Sequence, residues 1–263
     1  MTIQQVLPQL SVRLKKLGLS GINNSLEVRN QEAIANQMSY TEFLSLLVED
    51  ELITRDNRSY ERRLKQANIN GYKTIENFDF KFNPKINQSL IRDLATGHFI
   101  KAKHPLLIVG PCGTGKTHIA QSLGLIAIRQ GYDVICTNQT ELLQILQVAK
   151  ATGNYSKKLK LLAKVALLII DDFALKPLRA DQDEDLHDLI ACRYEQATTI
   201  VTSNLALHEW QQAFPNQLLA AATIDRLQHN AHVLLLEGLS YRSLKNNHNG
   251  NSNSNNGNSN NTK

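Results

Sequence analysis

Residues 106–117 read Leu-Leu-Ile-Val-Gly-Pro-Cys-Gly-Thr-Gly-Lys-Thr. The four apolar residues at the start are typical of a buried parallel strand, and a glycine-rich turn follows them. Residues 118–129, after the turn, carry apolar side chains at helical spacing. The motif therefore lies between a predicted strand and a predicted helix, which is the context that a phosphate-binding loop requires. This context disfavours the alternative, a turn that ends in Lys-Thr by chance.

Each residue type in this loop has a chemical function in binding a nucleotide. Gly110, Gly113 and Gly115 allow the backbone to turn tightly and to direct its N–H groups inward. Lys116 supplies a positive charge for the β- and γ-phosphates of a nucleotide, and the Thr117 hydroxyl is a ligand for Mg²⁺. The N-terminus of the following helix adds partial positive charge at the same place. The sequence therefore predicts a site for a nucleotide with bound magnesium.

Composition limits the class of protein. The 263 residues suffice for one ordinary domain and a smaller one, and 42% hydrophobic residues support a sizeable core. A net charge of +5 permits contact with nucleic acid without establishing it. The three cysteines lack metal-ligand spacing and indicate a reducing, cytoplasmic location. Residues 1–9 do not resemble a signal peptide, and the apolar runs have strand length, so no membrane span is expected.

The region from residue 106 onward alternates short apolar strands with helices. Strands are predicted at 106–109, 132–137, 167–170 and 199–202, and helices at 118–129, 140–149 and 184–194. This order predicts an α/β fold in which helices cover both faces of a parallel sheet. Ligands of such sheets bind at the carboxyl ends of the strands.

Polar residues follow two further strands of this predicted sheet. Asp171 and Asp172 come directly after the third strand, and Asn204 lies just beyond the fourth. We assign Asp171 to Mg²⁺ through a water molecule, and Asp172 to polarisation of the attacking water. Asn204 can hold that water and sense the γ-phosphate. The alternative for the two acids is a simple strand end, and for Asn204 ordinary turn chemistry is equally favoured.

Two arginines are candidates for a cationic group near the γ-phosphate, where such a group raises the rate of hydrolysis. Arg226 lies in Thr-Ile-Asp-Arg-Leu, and Arg242 lies in Ser-Tyr-Arg. Either arginine could equally form a structural salt bridge, and periodicity alone does not choose between these roles.

The chain divides into four predicted parts. Residues 1–70 form a helical domain that binds DNA or a partner, 71–105 a connector, 106–245 the nucleotide-binding domain, and 246–263 a disordered tail rich in Asn and Ser. Ser39 and Glu42 form a capping-box pattern at the start of a third helix that runs to about residue 67. In the connector, phenylalanines alternate at 78, 80 and 82, which predicts an extended segment that docks its rings on a core.

Two basic clusters are candidates for DNA contact. The first lies on one face of the third helix and consists of Arg55, Arg58, Arg62 and Lys65. The second lies within the run from 150 to 164 and consists of Lys157, Lys158 and Lys160. Such side chains suit phosphate contacts, which position DNA without reading its sequence. A solvated face with local salt bridges is an equally favoured reading of the first cluster.

Several motifs occur together in a fixed order. They are Asn-Phe-Asp-Phe at 77–80, Gly-Pro-Cys-Gly-Thr-Gly-Lys-Thr-His at 110–118, Leu-Leu-Ile-Ile-Asp-Asp-Phe at 167–173, Arg-Tyr at 193–194, Thr-Ile-Val-Thr-Ser-Asn at 199–204, Asp-Arg-Leu at 225–227 and Ser-Tyr-Arg at 240–242. Over about residues 5 to 245 the chain resembles the IstB family of insertion-sequence helper ATPases. These are close to the DnaC-type helicase loaders and belong to the AAA+ class.

The resemblance implies a role for each candidate residue. The ATP site would consist of Gly110, Pro111, Cys112, Gly113, Thr114, Gly115, Lys116, Thr117 and His118. Asp171 and Asp172 would be the Walker B acids, and Asn204 would be sensor I. Arg226 would be an arginine finger that acts on a neighbouring subunit, and Arg242 a sensor II-like residue within its own subunit.

The resemblance also implies partners. Family members form ATP-dependent oligomers on double-stranded DNA, deform it, and engage a transposase of the IstA type. One departure matters, because most AAA+ ATPases carry Asp-Glu where this chain has Asp171-Asp172. Asp is one methylene shorter, so slow hydrolysis is expected while ATP binding is kept. The alternatives are a helicase loader that prefers single-stranded DNA, a small-molecule kinase, and a scaffold that uses ATP only to assemble.

Overall fold

The computed structural model describes residues 3–238, 240 and 241. The backbone divides into two compact units, one reaching to Arg63 and one starting at Leu64. The first unit contains helices α1 (Ile3–Lys16) and α2 (Ser20–Ala35) and most of α3 (Tyr40–Ala67). The tail at 246–263 lies outside the described residues. The division into 1–70, 71–105 and 106–245 stays a prediction.

The first unit is held by a small leucine core and by polar contacts between α2 and α3. Leu14, Leu26 and Leu47 are buried together. The Glu51 carboxylate accepts hydrogen bonds from the N–H groups of Gly21 and Ile22 at 2.6 and 3.2 Å. Glu51 therefore satisfies two of the donors that the first turn of α2 leaves without intrahelical partners.

An ion pair adds to this contact. Arg29 donates two hydrogen bonds to the Asp50 carboxylate, both 2.9 Å long. These bonds lower the pKa of Asp50 to about 2. The pair therefore stabilises the unit at neutral pH and loses its contribution as the pH falls from about 4 towards the lowered pKa. The predicted capping box is confirmed, because the N–H of Glu42 donates to the Ser39 hydroxyl and the Glu42 carboxylate accepts the N–H of Ser39.

The second unit consists of a sheet with helices around it. Its elements are α4 (Gln88–Ala95), α5 (His98–Lys101), β1 (Leu106–Val109), α6 (Lys116–Arg129), β2 (Val134–Asn138), α7 (Gln139–Ala151), α8 (Tyr155–Lys164), β3 (Leu167–Asp171), α9 (Ala180–Arg193), β4 (Thr198–Ser203), a 3₁₀ helix (Leu207–Ala213), α10 (Gln217–Gln228) and β5 (His232–Leu235). None of the helices within 3–238, 240 and 241 combines the length and apolar character needed to span a membrane.

The five strands are parallel in the order β2-β3-β4-β1-β5. All four residues of β1 are buried, as expected of a central strand with helices on both faces. Val109 pairs with Ser203, and Asp171 pairs with Asn138. The carboxyl ends of β1, β3 and β4 are therefore neighbours at one edge of the sheet, and the predicted polar residues follow these ends.

The connector does not have the predicted conformation. The prediction of an extended segment at 78–82 is wrong, because residues 77–82 form successive turns. The Asp79 carboxylate accepts the N–H groups of Lys81 and Phe82 at 3.0 and 3.2 Å. An aspartate that binds backbone N–H groups two and three residues ahead stabilises a turn in competition with extended backbone.

Several elements differ from the sequence prediction. The prediction did not include α8, the 3₁₀ helix, α10 or β5. The fifth strand is a short edge strand with two exposed residues. Its sequence contains the apolar run 233–236, Val-Leu-Leu-Leu, which the prediction overlooked. Helix α9 begins at Ala180, four residues before the predicted start, because its first turn is polar.

Candidate functional site

The loop between β1 and α6 has a backbone that only glycine adopts easily. Gly113 and Gly115 have φ of 80° and 96°, in the left-handed region. A Cβ on Gly115 would lie 2.5 Å from Cε2 of Phe78, and a Cβ on Gly113 would lie 2.1 Å from the Ser240 hydroxyl. The loop is therefore built around two positions where both the backbone angle and the surrounding space require glycine.

Lys116 is the first residue of α6 and is only 6% exposed. Its ammonium group donates to the carbonyl of Pro111 at 2.7 Å. The Thr114 hydroxyl donates to the same carbonyl at 2.9 Å. The lysine charge therefore lies within the loop, at the N-terminus of a helix, where two positive contributions add.

Thr117 and Asp171 meet although they come from different elements. The Thr117 hydroxyl, on α6, donates to Oδ1 of Asp171 at 2.9 Å, and Asp171 ends β3. A hydroxyl and a carboxylate are the oxygen ligands that Mg²⁺ accepts. The described residues hold no group of three His, Cys, Asp or Glu side chains that would form a metal cage. The chemistry of this donor pair fits a magnesium ion.

Thr202 links the two acids. Its hydroxyl donates to Oδ1 of Asp171 and accepts the N–H of Asp172, the latter at 3.2 Å. Asp172 has a φ of 55°, an uncommon left-handed conformation, and its side chain is exposed. Thr202 itself is fully buried. No role was predicted for Thr202, because four of the six residues of β4 carry hydroxyls and the sequence does not single out one of them.

The Cys136 thiol, near Asp171, stays neutral at physiological pH. Burial, and then the charge of Asp171, raise the pKa of Cys136 to about 11. Cys136 lies on β2, directly beside β3. The Cys136 thiol therefore adds no charge of its own beside Asp171.

Asn204 follows the last residue of β4. The Ser203 carbonyl accepts the N–H of Gly110 at 3.2 Å, so the end of β4 is attached to the first residue of the loop. Asn204 lies one residue beyond this contact and is partly exposed. The fold thus brings Lys116, Thr117, Asp171, Asp172 and Asn204 to the same edge of the sheet.

The connector covers one side of the loop. The sequence predicted that its phenylalanines dock their rings, but not that the rings lie beside the phosphate-binding loop. The Nε2 atom of His118 lies 2.7 Å from the Thr74 carbonyl oxygen, and the His118 ring contacts the Phe78 ring edge-on at 5.4 Å. Phe82 and Tyr241 form a second edge-on pair at 5.0 Å. A cavity of about 200 Å³ adjoins the loop here, lined by residues that include Phe78, Phe82, Thr114, Gly115, His118 and Tyr241.

Arg226 lies elsewhere in the unit. Its guanidinium donates to the Ala222 carbonyl at 2.8 Å, within α10. It lines a cavity of about 240 Å³ whose other residues include Lys103, His104, Tyr194, Glu195 and His229. Several of these residues precede β1, β4 and β5, so the cavity lies at the amino ends of the strands. Arg226 is therefore at the amino ends of the strands, whereas the phosphate-binding loop of the same chain is at their carboxyl ends. Arg242 lies outside the described residues.

The candidate DNA-binding residues lie on two helices. On α3, Arg58, Arg62 and Lys65 are exposed, whereas Arg55 pairs with Glu51 at 2.7 Å. On α8, Lys157 and Lys160 are exposed, and Lys158 is half-buried.

Lys150, which begins the predicted basic run, has an acidic partner that the local sequence did not show. Its ammonium lies 2.6 Å from Oδ1 of Asp185, a buried residue of α9. Lys150 is therefore not part of the basic surface of this run.

Over residues 12–249 the sequence matches the family of IstB-like ATP binding proteins. The chain belongs to this family. A protein of Mycobacterium tuberculosis, named as an ATP-binding protein in an insertion sequence, is 35% identical over 90% of this chain and 95% of its own length. A protein of Geobacillus stearothermophilus, named as the ATP-binding protein of insertion sequence IS5376, is 38% identical over 80% of this chain and 84% of its own. The family named from the sequence motifs is thereby confirmed.

Solved structures show the fold. AMPPCP-bound DnaA from Aquifex aeolicus superposes with a TM-score of 0.55 at 21% identity, covering 65% of this chain and 51% of that one. The DnaC helicase loader superposes with a TM-score of 0.50 at 22% identity, covering 56% of this chain and 86% of that one. The predicted AAA+ P-loop ATPase fold, a parallel sheet flanked by helices, is thus confirmed.

Proposed function

We propose that this chain hydrolyses ATP slowly while assembled on duplex DNA, and that it thereby assists a transposase in selecting or activating a target site. The observation that carries the proposal is the 2.9 Å contact between Thr117 and Asp171, which joins the phosphate loop to a strand-end acid. The relatives named above are ATP-binding proteins of insertion sequences, and this supports transposition as the process.

The loop binds the nucleotide. The backbone N–H groups of residues 110–117 and the Lys116 ammonium bind the phosphates. Thr117 with Asp171 would hold Mg²⁺, which would supply charge neutralisation at the phosphates. The cavity beside Phe78, Phe82 and Tyr241 has aromatic walls that suit the base of the nucleotide. Pro111, Cys112 and His118 complete the surroundings of the site.

Hydrolysis needs a positioned water molecule. Asp172 polarises this water by accepting a proton, and Asn204 orients it against the γ-phosphate. The short Asp172 side chain holds the water less closely than a glutamate does, so turnover is slow. The buried Thr202 hydroxyl, bonded to Asp171 and to the backbone of Asp172, fixes both acids relative to each other.

The site is completed by a second protomer. Because Arg226 lies at the edge opposite its own loop, it serves the nucleotide of a neighbour in a head-to-tail assembly. A cationic finger of this kind raises the rate by roughly 10³–10⁵. Arg242 is proposed to contact the nucleotide within its own protomer. ATP then bridges two protomers, and nucleotide binding is coupled to assembly.

We expect the lysines of α8 to contribute to duplex binding through phosphate contacts. Changing Lys157, Lys158 and Lys160 to Glu should weaken binding equally for unrelated sequences, because phosphates carry no sequence information. The slope of log affinity against log salt should fall by about 0.9 for each phosphate that the protein no longer neutralises. The measurement is fluorescence anisotropy of labelled duplexes over a range of salt concentrations.

A matched variant controls for charge alone. Lys81, Lys101 and Lys176 are exposed elsewhere in the unit, and their change to Glu alters the net charge equally. An unchanged salt slope in the α8 variant would show that its lysines form only a solvated face. The α3 face, with Arg55, Arg58 and Arg62, should then be tested in the same way.

The function as a whole is tested by nucleic-acid preference and by the partner. With ATP, the wild-type chain should bind duplex more tightly than single strand, and it should raise the strand-transfer rate of the transposase from the same insertion sequence. Binding should drop when ADP replaces ATP. A preference for single strands, with no effect on the transposase, would contradict the proposal and favour the helicase-loader alternative.

A further inference from the structure

Helices α7 and α8 enclose an open groove of about 690 Å³ that the nucleotide site does not use. Its lining is mainly apolar. Ile145 and Val148 on α7 are 38% and 59% exposed, and Leu161 on α8 is 51% exposed. Three large apolar side chains that converge on one exposed groove are a feature of interaction sites.

Ile145, Val148 and Leu161 form the apolar floor of the groove, and basic side chains lie along one side of it. Lys157 and Lys158 line the groove on the α8 side, and Glu141 is its acidic residue, on α7. Lys160 and Lys164 follow on α8 and are exposed. The α8 rim is therefore basic, and a partner that contacts it gains from carboxylates beside its apolar residues.

The groove is rigidly supported from beneath. Besides the contact between Lys150 and Asp185, Gln147 of α7 donates to Asp181 of α9 at 2.7 Å. The buried Arg193 guanidinium donates to the carbonyls of Leu162 and Val165 at 2.7 and 2.9 Å, at the end of α8. Both helices are thus fixed to α9, and little ordering entropy is lost when a partner binds.

The shape and chemistry of the groove select among occupants. A groove between two helices accepts a third helix whose apolar residues recur at i, i+3 or i+4, and i+7. DNA offers phosphates to the lysines but leaves the apolar floor without a matching surface. Helix α9 of a second copy is acidic at Asp181, Glu184 and Asp188, but it has no large exposed apolar residue.

We propose that the α7–α8 groove binds an amphipathic helix of the transposase, with apolar residues on the floor and Asp or Glu side chains against Lys157 and Lys158. The proposal rests on the function proposed above, because that function supplies the partner. The lysines then contribute to both surfaces, but the apolar floor serves the protein partner alone.

The test changes the floor and leaves the charges intact. Val148→Gln with Leu161→Gln should weaken binding of the purified transposase about ten-fold or more, since central apolar anchors carry most of an interface's energy. Duplex binding, its salt slope and ATP hydrolysis without transposase should stay at wild-type values. Calorimetry with the transposase, and with synthetic peptides of its acidic helices, measures the effect.

The control makes the same change outside the groove. Leu175→Gln with Leu218→Gln replaces residues that are 51% and 79% exposed. This variant should bind the transposase like wild type. Circular dichroism verifies that both variants fold.

Each contrary result has a distinct meaning. If the floor variant binds the transposase as tightly as the control, the groove proposal is wrong while the proposed function stands. If the floor variant loses duplex binding or self-assembly, the occupant is DNA or a second copy, and the proposal is overturned. If wild type itself does not bind the transposase, the proposed function fails and the groove proposal fails with it.

Discussion

Lys116→Ala is expected to remove ATP binding at working nucleotide concentrations. The ammonium lies within the loop, nearly buried, at a helix N-terminus. Truncating one member of a buried charge pair costs about 2–5 kcal/mol, which corresponds to roughly 30- to 5,000-fold in affinity. Titration of a fluorescent ATP analogue measures the loss. Hydrolysis should vanish together with binding.

Two further variants serve as a control and as a test that separates ATP binding from hydrolysis. Lys101→Ala, at an exposed lysine of α5, should leave binding unchanged. Asp172→Asn should bind ATP normally yet hydrolyse it about 10²–10⁴ times more slowly, because the amide cannot accept the proton of the attacking water. A Lys116→Ala protein that folds and still hydrolyses ATP at the wild-type rate would refute the site assignment. An Asp172→Asn protein with wild-type turnover would refute only the role of that acid.

The fold was predictable because its strongest signals are local. The run 106–109 is uniformly apolar and is followed by a glycine-rich turn, and the run 167–170 is likewise uniformly apolar and is followed by Asp171 and Asp172. A short apolar run does not by itself distinguish a strand from a buried helix, but the strand length of these runs and the turn residues after them favour strands. Because strand ends meet at one edge, the convergence of Thr117, Asp171 and Asn204 followed from the order of elements.

The remaining parts of the site depend on contacts between distant segments. The turn at Asp79 overrides the alternation of phenylalanines, and it places Phe78 against Gly115. Thr202 contacts Asp171 and Asp172 because β4 lies beside β3. The sequence of neither strand indicates this strand order. Lys150 forms an ion pair with Asp185, which is 35 positions away in sequence, and is therefore not part of the basic surface. Local periodicity contains none of these three facts.

Arg226→Ala should bind ATP almost normally as a protomer but lose hydrolysis by roughly 10³–10⁵ when assembled. The physical reason is its position at the amino edge of the sheet, away from its own phosphate loop. In the proposed assembly the arginine therefore reaches the nucleotide of a neighbouring subunit. Arg92→Ala, at an exposed arginine of α4, is the matched control and should retain full activity.

The decisive measurement mixes Arg226→Ala with Lys116→Ala protein, each inactive alone. In a head-to-tail assembly the intact loop of the first meets the intact finger of the second at about a quarter of randomly formed interfaces. ATPase activity should therefore recover to about that fraction of the wild-type value, in proportion to mixed assemblies detected by mass photometry. Mixed assemblies without recovered activity would assign Arg226 to a structural role, namely the bond to the Ala222 carbonyl that the structure shows.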